Sequence, residues 1–300
     1  MNDDVRGRPG DEPGASTDVS LVRLRLDICY DGTDFAGWAF QPGQRTVAGE
    51  VFTALSALFG QPEGLTVAGR TDAGVHATGQ VAHVDVPAAA WARYRDRPLW
   101  RLRGILPPDV RITAITEVSS EFNARFSALS RRYVYRVADT VWGVNPLRRL
   151  DTVAWPRPVD LDVMNAAATV LVGEHDFAAF CKRREGATTV RALRTVRWDR
   201  DADGIARATV VADAFCHSMV RSLVGAMLAV GEGRRDAAWL AALLTRGERS
   251  GEVLVAPANG LTLVEVEFPA DPSAWAERQL ETRRMRTLNG STAAGQQPTA

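Results

Sequence analysis

The sequence predicts an α+β protein built from two mixed halves. Residues 24–28 alternate apolar and charged side chains, which is the pattern of a half-buried strand. Apolar residues recur at helical spacing over 47–59, and Thr46 can cap that helix. Patterns of the same kind continue to residue 268, and 300 residues are enough for about two domains. Such mixing favours antiparallel sheets with helices on their outer faces.

The predicted halves span 19–125 and 126–270, and a tail flanks each of them. Residues 1–18 are acidic and are predicted to be disordered, whereas 271–300 are predicted to form a charged helix and then a low-complexity segment. The other strands are predicted at a segment ending with 67–68 and at 80–86, 110–118, 131–137, 190–199, 205–211 and 261–268, and the other helices at 91–105, with a break at Pro98, and at 160–173, 218–230 and 236–244.

The charge balance does not by itself indicate a nucleic-acid partner, because 36 basic residues meet 36 acidic ones. Lys182 is the only lysine, which leaves Schiff-base and Walker-type lysine chemistry almost no candidate. Guanidinium groups suit phosphate oxygens, so several arginine clusters are compatible with an RNA surface. Any single cluster is more often a solvated face. The clusters are at 131–132, 148–149, 182–184, 191–197 and 234–235.

Cysteine and histidine spacing predicts a reduced, cytoplasmic protein without a metal site. An odd number of cysteines without paired spacing argues against a disulfide framework, and no stretch approaches the roughly 18 apolar residues of a membrane span. The histidines lack close metal-ligand spacing, and each is predicted to have a structural role. These residues are Cys29, Cys181, Cys216, His76, His83, His175 and His217.

Residues 68–77, Ala-Gly-Arg-Thr-Asp-Ala-Gly-Val-His-Ala, place Asp72 in a turn flanked by glycines, between a short strand and a longer one. Arg70 shares this loop, and a carboxylate held beside a guanidinium stays ionised, which suits a nucleophile more than a general acid. The alternative is a turn that Thr71 and Asp72 stabilise by hydrogen bonds from side chain to backbone. For an isolated Thr-Asp-Ala-Gly, that alternative would be favoured.

The ten-residue segment closely resembles the signature of the tRNA pseudouridine synthase A family, in which the aspartate of Gly-Arg-Thr-Asp-Ala-Gly-Val-His is the catalytic nucleophile. Matching segments at 30–38, 126–135 and 214–221 extend the resemblance over about 21–268. The pattern and the resemblance together predict ferredoxin-like, RRM-like halves joined around a central catalytic cleft. The resemblance further implies a cytoplasmic homodimer that uses no cofactor and no metal and isomerises uridine at positions 38, 39 and 40 of the tRNA anticodon stem-loop.

The resemblance also assigns roles to four residues. Asp72 would form a covalent adduct at ribose C1′ or at uracil C6, and the sequence leaves both open. Tyr133 matches the position that contacts the target uracil, although it could be a half-buried strand residue like Tyr135. Arg70 would fill the space left by the flipped base. Arg221 would keep Asp72 ionised, the alternative being a solvated helix face.

Two departures from the family pattern affect expected RNA contacts. Asn123 stands where the family usually has His, and Ala39-Phe40 replaces a polar pair. Two rival functions remain open. One is a non-catalytic RNA-binding module of the same fold, and the other is a hydrolase with a second carboxylate opposite Asp72. The sequence excludes none of Glu50, Asp85 and Asp213 as that carboxylate and favours none.

Overall fold

The strands of both predicted halves join one sheet in the computed structural model, which describes residues 20–182 and 188–283. The strands are β1 Leu21–Tyr30, β2 Glu63–Val67, β3 His76–Pro87, β4 Val110–Val118, β5 Ser130–Ala138, β6 Val153–Ala154, β7 Gly173–Asp176, β8 Val190–Arg200, β9 Ala206–Ala212 and β10 Leu261–Glu267. Within the described ranges these ten strands follow the order β4-β1-β3-β10-β5-β9-β8-β7, with β2 added to β3 and β6 to β5. The pairing is mostly antiparallel, so the α+β prediction is confirmed.

Helices flank the strands in the order that the apolar spacing predicts. They are α1 Val47–Phe59, α2 Ala88–Tyr94, α3 Pro98–Ile105, α4 Leu161–Ala168, α5 Met219–Gly231, α6 Ala237–Leu244 and α7 Ala274–Arg283. Thr46 caps α1 by accepting a hydrogen bond from the Gly49 N–H, as predicted. The helix predicted at 91–105 is two helices, because Pro98 starts a new one at its first turn.

The junction between the halves lies at the centre of the sheet. There β3 pairs with β10 in parallel over two positions, Thr262 with His76 and Leu263 with Ala77. On its other side β10 pairs antiparallel with β5, which places Tyr133 opposite Leu263. Because the loop that carries Asp72 leads directly into β3, this junction brings the Asp72 loop close to β5.

One buried apolar cluster spans both halves. It runs from Leu24 on β1 and Val51 on α1 to Leu223 on α5 and Leu240 on α6. Nearly every residue of α5 is buried, so this helix, which was predicted at 218–230 with one apolar face, is enclosed on almost all sides. The described part of the chain contains no helix that is both long and apolar enough to cross a membrane.

Three features of the chain differ from the sequence-based expectations or lie beyond them. Cys181 and Cys216 form a disulfide across 35 residues, so the prediction of unpaired cysteines was wrong; the pairing depends on a tertiary contact that spacing does not show. The short strands β6 and β7 were not predicted, because neither has an apolar alternation long enough to recognise. The predicted N-terminal tail at 1–18 and the low-complexity segment from 284 onward lie outside the described residues.

Candidate active-site cleft

The loop 31–38 holds the segment around Asp72 in place. The Trp38 N–H donates to the Thr71 carbonyl at 3.0 Å, and the hydroxyls of Tyr30 and Thr71 share a buried hydrogen bond of 2.7 Å. Gly37 has φ +99°, and a Cβ there would lie 2.8 Å from the Thr71 oxygen. Only glycine satisfies both the backbone angle and this close approach.

Asp72 lies at the N-terminus of α5, among groups that come from the other half of the chain. Its Oδ2 is 3.4 Å from the Ser218 hydroxyl and 3.6 Å from Arg221 Nη1, and its Oδ1 is 3.8 Å from His217 Nδ1. Ser218 is the N-cap of α5 and has φ +63°, a left-handed conformation uncommon outside glycine. The unpaired N–H groups of a first helical turn attract an anion. The N-terminus of α5 and the guanidinium of Arg221 therefore both attract the Asp72 carboxylate.

Arg221 is anchored as well as close to Asp72. Its Nε donates to the Ala256 carbonyl at 2.6 Å, and only 20% of its side chain is exposed. A guanidinium fixed at one edge keeps its other nitrogens directed at the carboxylate. The solvated-face alternative does not describe this side chain.

Tyr133 is 6% exposed on β5 and lines the same cleft. Its ring packs edge-on against Phe215 with 5.2 Å between centroids, and its hydroxyl approaches Gly69. Burial raises the pKa of Tyr133 well above the ordinary tyrosine value, so the side chain is a neutral phenol at physiological pH. The hydroxyl of Tyr135, in contrast, donates to the Pro257 carbonyl, which gives that residue a structural role.

Of the two arginines that the sequence analysis placed near Asp72, Arg221 lies beside the carboxylate and Arg70 does not, and the sequence analysis overlooked His217. Arg70 lines the cleft and is exposed, but among the described residues it forms no ion pair with Asp72. His217 was predicted to be structural, yet it is 53% exposed and faces the carboxylate. Its position within residues 214–221, one of the segments that match the family pattern, could have indicated that it lies in the site. His76 and His83 do have structural contacts, to Gly32 and Ala124 respectively.

The cleft has a volume of 1460 Å³ and a basic lining. Among the described residues, eight arginines and three carboxylates line it, and exposed rings of Phe40 and Phe52 occupy one wall. The lining also includes Phe126, whose ring centroid lies 4.9 Å from the guanidinium carbon of Arg283. Guanidinium groups beside aromatic rings suit phosphates and unstacked bases. The lining arginines are Arg45, Arg70, Arg125, Arg131, Arg191, Arg221, Arg278 and Arg283.

The predicted arginine clusters only partly contribute to this lining. Arg132, Arg148 and Arg235 pair with carboxylates, and Arg131 is buried with its guanidinium on backbone carbonyls. Arg183 and Arg184 lie outside the described residues. The segment 191–197 contributes Arg191 to the cleft.

The three carboxylates considered as partners for Asp72 have other contacts. Glu50 pairs with Arg45 at 3.0 Å, and Asp85 pairs with Arg23 at 2.7 Å and does not line the cleft. Asp213 is buried and accepts hydrogen bonds from the backbone of Ala192 and Ala214. None of the three is therefore placed as a free acid opposite Asp72.

Asn123 supports the cleft wall from a tight turn. Its side-chain oxygen accepts from the N–H groups of Arg125 and Phe126 at 3.0 Å each, which fixes the turn that presents both to the cleft. Within 20–182 and 188–283, no group of three or more His, Cys, Asp or Glu side chains is arranged to hold a metal ion.

A carboxylate at a helix N-terminus, inside a basic and aromatic-lined cleft, suits an enzyme that acts on RNA bases. A family model described as tRNA pseudouridine synthase matches residues 167–269. The "tRNA pseudouridine synthase A" of Frankia casuarinae is 59% identical, covering 89% of this chain and 96% of that protein. The proteins of the same name from Streptomyces griseus and Mycobacterium leprae are 56% and 50% identical, covering 93% and 92% of this chain and 97% and 98% of their own lengths.

The chain belongs to the tRNA pseudouridine synthase A family and is therefore an isomerase of tRNA uridine. A solved structure described as a Cbf5-Nop10-Gar1 complex matches 69% of this chain and 54% of its own, at 13% identity and a TM-score of 0.30. That superposition is too loose to say anything further about this chain.

Proposed function

We propose that the protein converts uridine to pseudouridine at positions 38, 39 and 40 of the tRNA anticodon stem-loop, with Asp72 as the nucleophile. The observation that carries this proposal is the Asp72 carboxylate at the N-terminus of α5, 3.6 Å from Arg221, inside an arginine-lined cleft. Family membership supports the reaction and the tRNA substrate, and the basic lining suits the phosphates of a stem-loop.

The reaction is a redox-neutral isomerisation. The bond from uracil N1 to ribose C1′ breaks, the base rotates, and C5 forms the new bond to C1′; the C5 proton is lost and N1 gains one. The target base must leave its stack to reach the carboxylate. Asp72 then forms a covalent adduct at ribose C1′ or uracil C6, and its neighbours suit either, since both require an ionised oxygen.

The other three residues act around this adduct. Tyr133 packs on the uracil, and its neutral phenol is available to assist proton movement at C5. Arg221 stabilises Asp72 as an anion before attack. Arg70, exposed at the start of the loop, enters the space that the flipped base leaves.

The wider organisation follows the same proposal. The halves are 19–125 and 126–270, each ferredoxin-like, and their shared sheet and core support a rigid cleft between them. The enzyme acts as a homodimer in which each tRNA contacts both subunits; exposed Trp142 and Leu147 support an apolar interface. It works in the cytoplasm, where tRNA is available.

One assay separates this function from its rivals. The protein is incubated with a tRNA transcript carrying uridine tritiated at C5, and both the released tritium and the product nucleoside are measured. We expect tritium release with pseudouridine at 38, 39 or 40. A non-catalytic RNA-binding module would bind the tRNA without release. A hydrolase with paired carboxylates would instead liberate free uracil.

A further inference from the structure

Two phenylalanine rings are exposed inside the cleft, although aromatic side chains of this size are normally buried. Phe40 is 73% exposed and Phe52 is 44% exposed, and both line the cleft that contains Asp72. Among the described residues, neither ring stacks on another aromatic ring or on a guanidinium. The rings are therefore available to an external partner.

The two rings belong to one surface. A Cβ placed on Gly49 would lie 3.9 Å from a ring carbon of Phe40, so Phe40 rests on the turn of α1 that contains Gly49. Phe52 follows Gly49 by three residues and therefore projects from the same side of the helix. We call this pair of rings, Phe40 and Phe52, the aromatic platform.

The backbone fixes the aromatic platform relative to the nucleophile. Trp38 donates its N–H to Thr71, the residue before Asp72, and accepts the Ala48 N–H through its own carbonyl, both at 3.0 Å. Phe40 follows Trp38 by two residues, a reach of at most about 7 Å in extended chain. The platform is thus tied to both the catalytic loop and α1.

The charge of the cleft lining indicates which kind of partner the aromatic platform binds. The same cleft is lined by eight arginines and three carboxylates among the described residues, which favours a polyanion over an apolar peptide. Bases of single-stranded RNA stack on exposed aromatic rings while arginines hold the phosphates. An unpaired nucleotide next to the flipped target combines both features.

We propose that the aromatic platform stacks an unpaired nucleobase adjacent to the target uridine. This inference rests on the proposed function, since it needs RNA in the cleft. It goes beyond the family resemblance, because Phe40 is one of the residues that depart from the family pattern. The platform holds the stem-loop open after the target base flips, and so it contributes to binding more than to the chemical step.

The test compares Phe40→Ala, Phe52→Ala and Phe40→Trp with Trp100→Ala. Trp100 is a matched control, because it is 70% exposed on α3 and lies outside the cleft lining. Dissociation constants for tRNA and single-turnover rates at saturating enzyme are measured for each variant, together with thermal melts. The same measurements are made with tRNAs that carry one abasic nucleotide on either side of the target.

For intact tRNA, we expect Phe40→Ala to weaken binding by about fivefold to a hundredfold, the range that alanine substitution of stacking residues produces. Phe40→Trp and Trp100→Ala should bind like wild type, and saturated rates should change little. With one of the abasic tRNAs, wild type and Phe40→Ala should bind equally, which identifies the stacked base.

Wild-type affinity in both Phe40→Ala and Phe52→Ala would overturn the proposal, as would a loss of binding by Phe40→Ala that persists undiminished on both abasic tRNAs. If a variant melts early, the wild-type protein on abasic tRNA still decides the matter, because unchanged affinity there contradicts stacking. A wild-type protein that binds tRNA but forms no pseudouridine would instead contradict the proposed function. The dissociation constants would still show whether the aromatic platform stacks a base.

Discussion

At the scale of single residues, Asp72 depends on groups far along the chain. Ser218 contacts it from 146 residues away, and Arg221 and His217 come from the same segment. These groups attract an anion, so a neutral side chain of equal shape removes the reactive group without removing its surroundings. Asp72 is partly exposed, which keeps the structural cost of such a change small.

Asp72→Asn should abolish turnover while leaving folding and tRNA affinity nearly intact, because an amide cannot replace the carboxylate as a nucleophile. Single-turnover pseudouridine formation, thermal melts and tRNA titration measure the three properties. A rate within about tenfold of wild type, equivalent to about 1.4 kcal/mol in the barrier, would contradict the assigned role.

Arg221→Ala should reduce both activity and stability. The substitution removes the ion pair with Asp72 and the hydrogen bond to Ala256. The loss in unfolding free energy should stay below the roughly 3–5 kcal/mol of a fully buried pair, since both side chains keep some contact with water. Arg221→Lys keeps the charge but not the planar fork, so melting should largely recover while the single-turnover rate stays low. Wild-type melting and rate in Arg221→Ala would show that the pair has no role.

At the scale of elements, the Asp72 loop is shaped by backbone packing. Gly37→Ala should lower the saturated rate as well as stability, because its Cβ would meet the Thr71 carbonyl at 2.8 Å. Gly43 is the matched control, since it also has positive φ, +72°, but nothing lies within 4 Å of its Cβ position. Gly43→Ala should cost about 1–2 kcal/mol of stability from left-handed strain and leave the rate unchanged. Equal rates in the two variants would argue against this packing role.

β3 carries a histidine that links stability to pH. His83 is 4% exposed, its Nδ1 accepts the Ala124 N–H, and burial together with the nearby Arg23 lowers its pKa to about 4. Above the unfolded pKa of about 6.5 both states are neutral and stability is complete. As the pH falls toward 4, His83 binds a proton in the unfolded chain but stays neutral in the folded chain, so stability is lost.

His83→Gln keeps an acceptor without the titration. Urea unfolding at pH 7 and pH 4.5 should therefore show a smaller loss of unfolding free energy in the variant than in wild type, by about 2 kcal/mol. Carboxylates that do not interact with His83 lose stability equally in both proteins and cancel in the comparison. Asp85 leaves a small difference, because its pKa is lowered mainly by Arg23 and in part by His83. Equal losses in the two proteins would mean that His83 does not titrate in this range.

The elements themselves were largely predictable. α1 and β4 coincide with their predicted ranges, because each has a long apolar period and, for α1, a capping threonine. β7 was missed because the sequence of Gly173–Asp176 has no apolar alternation; it pairs at the sheet edge through its backbone. Local pattern identifies elements that bury a face and overlooks those held by main-chain pairing alone.

At the scale of the whole molecule, the site could be predicted only in part. The motifs around Asp72, Tyr133 and Arg221 predicted that these residues share a site, and all three line the cleft. The position of His217 beside Asp72 and the pairing of Cys181 with Cys216 were not predicted, since both depend on how distant segments meet. The strand order has the same origin, because β3 meets β10 only after the whole chain has folded.

The distribution of charge over the molecule gives the last prediction. Net charge is zero, yet arginines outnumber carboxylates in the cleft lining. tRNA affinity should therefore fall steeply with salt, as counterions are released from the phosphates. Arg283→Gln removes an exposed cleft arginine at the end of α7, whereas Arg132→Gln removes one that pairs with Glu265 outside the cleft lining.

Arg283→Gln should flatten the slope of log affinity against log salt by about 0.7–0.9 for each phosphate that the guanidinium no longer neutralises, and Arg132→Gln should leave it unchanged. Titrations of tRNA between about 50 and 200 mM salt measure both slopes over the range in which this effect is large. Identical slopes in wild type and both variants would mean that Arg283 faces solvent in the complex. A flatter slope in Arg132→Gln alone would indicate that the RNA contacts the exposed ends of β5 and β10 and not the cleft.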